Sequence, residues 1–84
     1  MKNIVPVPDE LKDVLVSSSD TLGGAVRFVG TRVPVRALLD TLDRGLPVSD
    51  FLRGFPNVSE QQAMAVVKWQ QNKSREIFGL DLAS

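Results

Sequence analysis

The feature that most constrains this chain is a change of hydrophobic period at a single point. Ala25-Val26-Arg27-Phe28-Val29 is a β-favouring run that puts Val26, Phe28 and the region of Gly30 on one face, Arg27 and Val29 on the other. From Pro34 onward, Val35, Leu38, Leu39 and Leu42 follow the i, i+3, i+4, i+7 spacing of an amphipathic helix. Strand must therefore give way to helix between Gly30 and Pro34. Gly30 allows the bend or bulge this requires. Thr31 can bond local backbone, and Pro34 suits a first helical turn, where its missing N–H goes unneeded.

The elements on either side follow from the same reading. Val14-Leu15-Val16 is a second β-favouring run, ended by serines, and predicts the other strand of a ribbon. A lone hairpin is marginal in water, so the ribbon must pack on helices or pair with another chain. Gly45 predicts the left-handed stop of the first helix. A short helix over 48–54 presents Phe51, Leu52 and Phe55 inward, and Phe55-Pro56-Asn57-Val58 makes a turn in which Pro56 cannot continue a helix. Ser59 with Gln62 three residues on is a capping box, and Val58 can staple onto Ala63. The inward stripe of this last helix is Ala63, Val66, Val67 and Gln70, continuing toward Ile77 and Phe78 until Gly79. The expected architecture is mainly α with a small β element: an N-terminal β-ribbon followed by a trihelical helix-turn-helix bundle. The 84 residues make one domain, with an arm over 1–12, the ribbon over 13–33, three helices over 34–78 and an apolar tail over 79–84.

Composition excludes much chemistry. There is no Cys and no His, which removes thiol and imidazole catalysis, disulfides and Cys/His zinc sites. Gly23-Gly24 has no following Lys-Ser/Thr, the acidic residues show no metal-loop spacing, and Ser17-Ser18-Ser19 has no side chain to activate it. The expectation is a protein that is no enzyme and takes no cofactor or metal. No apolar run suits a membrane span, and the N-terminus lacks the pattern of a secretion signal, so the expected location is cytoplasmic.

What remains is surface. In a helix-turn-helix the last helix offers its first exposed turns to a major groove. Ser59, Gln61 and Gln62 fall there, with Lys68 further along; either glutamine suits adenine, while Arg53, Asn57 and Lys68 suit phosphate. The plainer alternative is an ordinary solvated helix face, and the net charge of 0 weighs against tight non-specific DNA binding. Arg27, Arg32 and Arg36 form one basic stretch without an intervening acid, Lys68, Lys73 and Arg75 another. Trp69 is the only tryptophan; it suits partial core burial or an interface anchor. Ile77, Phe78, Leu80 and Leu82 add more terminal apolar surface than a small core can enclose, so these residues, with Arg27, Arg32, Trp69 and Arg75, are the candidates for partner binding.

The run from Leu22 to Val35, with Gly30-Thr31-Arg32-Val33-Pro34-Val35 at its centre, resembles the opening of the domain-of-unknown-function family four-three-three. The later landmarks match too: Leu38-Leu39, Gly45, Phe51-Leu52, Phe55-Pro56, Val58-Ser59 and Ala63. The resemblance implies a homeodomain-like helix-turn-helix, a prokaryotic source and a VapB-like antitoxin of a type II toxin–antitoxin pair. It further implies a PIN-like nuclease toxin as partner, operator DNA as a second one, and a homodimer or toxin–antitoxin hetero-oligomer. A stand-alone DNA-binding regulator is the alternative. The chain departs from the family pattern at Pro47, where Ser is frequent, and at Gln61-Gln62, where acids are common.

Overall fold

The computed structural model describes residues 7–18 and 24–79. Leu80 and Leu82 lie outside the described residues. A 3₁₀ turn (Asp9–Leu11) leads into strand β1 (Leu15–Val16), followed by β2 (Arg27–Phe28) and the helices α1 (Val35–Asp43), α2 (Val48–Gly54) and α3 (Glu60–Ile77). The molecule is thus mainly helical, with a small antiparallel β element ahead of a three-helix bundle.

The ribbon is shorter than its apolar runs suggest. Leu15 pairs with Phe28 and Val16 with Arg27, and the Val29 N–H donates to the Val14 carbonyl at 2.8 Å. The other edge of β2 is also occupied. Phe28 N–H donates to the Val33 carbonyl (3.0 Å), Val35 N–H to the Val26 carbonyl (2.9 Å), and Arg27 bridges Pro34. The Gly30-Thr31-Arg32 segment is therefore the tip of a tight hairpin that doubles the chain back on β2. Gly30 turns there at φ +79°. Thr31 Oγ1 holds the tip closed, donating to the Phe28 carbonyl (2.9 Å) and accepting from the Val33 N–H (3.0 Å). Pro34 is extended (φ −72°, ψ 147°) and stands as the N-cap of α1 rather than inside its first turn. The cause is its bridge to Arg27, which holds it in a β conformation until Val35.

Helix ends obey local rules. At the end of α1, Gly45 (φ +80°) donates to Leu42 and Leu46 donates to Thr41, the two bonds of a Schellman stop. Thr41 is buried, and its hydroxyl is satisfied by the Ala37 carbonyl at 2.9 Å. At the start of α3 both halves of the capping box are formed, Gln62 N–H to Ser59 Oγ and Ser59 N–H to Gln62 Oε1, each at 3.0 Å.

The core joins every element. Leu11, Leu15, Phe28, Leu38, Phe51, Val58, Ala63 and Val66 are buried, with Phe28, Leu38 and Phe51 enclosed almost completely. Each of the three largest, Phe28, Leu38 and Phe51, contributes about 1.5–3 kcal/mol. Phe28 and Phe51 pack with ring centroids 5.8 Å apart, tying the ribbon to α2. Leu11 brings the end of the N-terminal arm into the core, which the periodicity of the helices does not announce. Phe55, expected inward, sits at the rim against Phe51 (centroids 5.1 Å apart). Gln70 keeps the inward azimuth of α3 but is exposed, at the rim of a groove it lines with Val7, Leu39 and Trp69.

Candidate interaction surfaces

Three surfaces emerge once internal contacts are removed from the candidates. The first is the outer face of α3. Gln61, Met64, Lys68, Gln71 and Arg75 follow i, i+3, i+7, i+10, i+14 along one stripe, and none of them is acidic. At about 1.5 Å per residue this stripe is about 21 Å long. Gln71 escaped the sequence reading, although its spacing from Lys68 placed it on the same side. The two glutamines predicted together part company here. Gln61 is exposed, whereas Gln62 closes the capping box and also donates Nε2 to the Val29 carbonyl at 3.1 Å. Ser59 holds the cap and Arg53 pairs with Asp50 on its own helix. Asn57 is exposed in the turn leading to α3.

A second surface is the cleft beside the hairpin tip. It measures about 450 Å³ and is lined by Arg27, Gly30, Thr31, Arg32, Val33 and Asn57. Arg27 is half-buried rather than projecting outward as its strand position suggested. Its Nε donates to the Thr31 carbonyl and its Nη1 to Ser18 Oγ, both at 3.1 Å. Arg32 is exposed at the tip.

The third surface is apolar and surrounds Trp69. A groove of about 210 Å³ runs between Val7, Leu11, Leu15, Val35, Leu39 and Trp69. The indole is half-buried, with Nε1 enclosed and no hydrogen-bond partner for it among the described residues. Lys73 Nζ lies 5.7 Å from the centre of the ring, within cation–π range. Beyond it, Ile77 and Phe78 are 71% and 74% exposed at the end of α3. Among the described residues no three acidic side chains converge as a metal site requires, and no helix is long and apolar enough to cross a membrane.

Comparison with known proteins gives a family and a fold. The family model described as "Protein of unknown function (DUF433)" matches residues 15–69. A crystal structure of a DUF433 member protein from Anabaena variabilis ATCC 29413 is similar at a TM-score of 0.61 and 20% sequence identity. The match covers 93% of this chain and 87% of that one. At this identity the likeness concerns the fold alone. No curated protein matches the chain.

Proposed function

The chain belongs to the DUF433 family, and from that premise we propose that it is the antitoxin of a type II toxin–antitoxin pair that binds and silences a PIN-like nuclease. The carrying observation is the exposure of Ile77 and Phe78 at the end of a helix that outruns its own core. Burying these two side chains against a partner is worth about 3 kcal/mol, roughly a hundredfold in affinity. Trp69 and the apolar groove beside it lie further back along the same helix and offer a second apolar contact. Catalytic thiols and imidazoles are missing from the sequence, which fits a protein that acts by occupying another.

Co-expression with the nuclease encoded in the adjacent reading frame tests this reading. The wild-type chain is expected to co-purify with the nuclease and suppress its RNA cleavage. A double variant, Ile77→Ser with Phe78→Ser, is expected to melt as the wild type does yet lose the complex. Failure of the wild-type chain to co-purify refutes the proposal.

A second activity, binding of operator DNA through α3, is favoured by the acid-free stripe from Gln61 to Arg75. The same contact would make the chain a regulator in its own right if no toxin exists. A mobility-shift assay with the promoter of its own reading frame should give a sequence-specific complex. Gln61→Ala with Lys68→Ala should abolish it.

A further inference from the structure

The cleft at the hairpin tip gathers two arginines with no carboxylate in its lining, and we propose that it is an anion seat that holds one phosphate of a nucleic-acid backbone. This rests on the DNA-binding reading of α3 and adds to it the place where the duplex is gripped. The lining carries two arginines, an asparagine and no carboxylate. Neither Arg27 nor Arg32 has a carboxylate partner among the described residues. The two differ in kind, and the difference is informative. Arg27 is immobilised by Thr31 and Ser18 through two of its five N–H donors, so three remain, on a group whose orientation is already set. Arg32 is exposed in the same lining, with no side-chain partner among the described residues. The amides of Gly30 and Arg32 have no acceptor among the described residues. The tip therefore combines guanidinium and backbone N–H donors, the pairing that recognises phosphate.

Position supports a backbone phosphate over a free one. Asn57 belongs to the turn that delivers the chain to α3, and the Gln62–Val29 bond fastens the first turn of α3 to the hairpin. The seat thus lies beside the end of the helix that enters the groove, where helix-turn-helix proteins take the flanking phosphates.

The test uses the full chain with a duplex of about two helical turns, the variants Arg32→Ala, Asn57→Asp and Gln61→Ala, and inorganic phosphate alone as a second probe. Loss of one phosphate contact lowers the salt slope by about 0.9, so between about 50 and 200 mM salt the wild type should lose about 3.5-fold more affinity than Arg32→Ala. Arg32→Ala should weaken binding equally for all sequences, and Asn57→Asp, which adds a negative charge to an exposed position, should weaken it as well. Gln61→Ala should leave the slope intact and relax sequence preference. Amide resonances of Gly30 and Arg32 should move saturably with inorganic phosphate and more strongly with the duplex.

Absence of any duplex binding by the wild type refutes the DNA reading and the seat with it. Duplex binding that responds to Gln61→Ala while Arg32→Ala keeps the wild-type slope preserves the reading and overturns the seat. Movement with inorganic phosphate and an unchanged duplex slope assigns the cleft to a free anion, which overturns the proposal. An Arg32→Ala variant that loses only the nuclease assigns the cleft to a protein carboxylate and overturns it too.

Discussion

Thr31→Val isolates the bonds that close the hairpin. The change is nearly isosteric and replaces with a methyl the hydroxyl that donates to the Phe28 carbonyl and accepts from the Val33 N–H. The two bonds are not equivalent. Phe28 O keeps the Thr31 N–H as a donor at 3.1 Å, so its loss is partial. Val33 N–H is left without its acceptor at a half-buried position. Losing the bond to Phe28 O costs about 0.5 kcal/mol because that carbonyl keeps a donor, losing the bond to Val33 N–H about 1 kcal/mol, and the stranded N–H about 0.5 kcal/mol more at this exposure; the sum is about 2 kcal/mol. A chain of this size has a total stability of about 4–13 kcal/mol, so the melting temperature should fall by about 8–16 °C. Urea unfolding monitored by Trp69 emission measures it, with Thr31→Ser as a control that keeps the hydroxyl and should lose less than about 0.5 kcal/mol. A Thr31→Val variant within about 0.5 kcal/mol of the wild type would refute the idea that this hydroxyl holds the tip.

Other substitutions probe the remaining supports. Phe28→Ala should cost about 3–5 kcal/mol, lowering the melting temperature by about 12–40 °C. Gly45→Ala and Gly54→Ala should differ in sign, although a Cβ has open space at both. The first forces a side chain into φ +80° and should cost about 1–2 kcal/mol, while the second sits in helical backbone and should gain about 0.5–1 kcal/mol in urea titrations. Ser59→Ala removes the hydroxyl side of the capping box and should cost about 1 kcal/mol, with faster amide exchange confined to the first turn of α3.

The helices were legible because their signals are local. Gly45 and Gly79 carry positive φ at the ends where periodicity stops, and Ser59 with Gln62 marks the start of α3 to the residue. The ribbon was legible in kind but not in extent. Its length is set by pairing with Val14 and by the return of Val33–Val35 along β2, contacts that no window of sequence contains. Leu11 was missed for a related reason: the apolar residues of the proline-containing arm follow no helical period, yet the tertiary fold encloses this one. Among the site candidates, exposure could be read from helical spacing, as at Gln61 and Lys68. Prior engagement could not. That Arg27 is braced by Ser18 and Thr31, and that Gln62 reaches Val29, depends on how the hairpin and α3 meet.

At Gln62 a single side chain serves two partners, and that narrows the residues the position can accept. Its oxygen accepts from the cap while its nitrogen donates to Val29, so only a group with both polarities on one carbon satisfies the position. Glutamate caps helices as well but would turn a second oxygen toward a carbonyl, and lysine would reach the carbonyl while abandoning the cap. Next door, the exposed Gln61 side chain has no partner among the described residues. Two identical neighbours in the sequence therefore stand under opposite rules, one fixed by architecture and the other at liberty to change with whatever the protein must recognise.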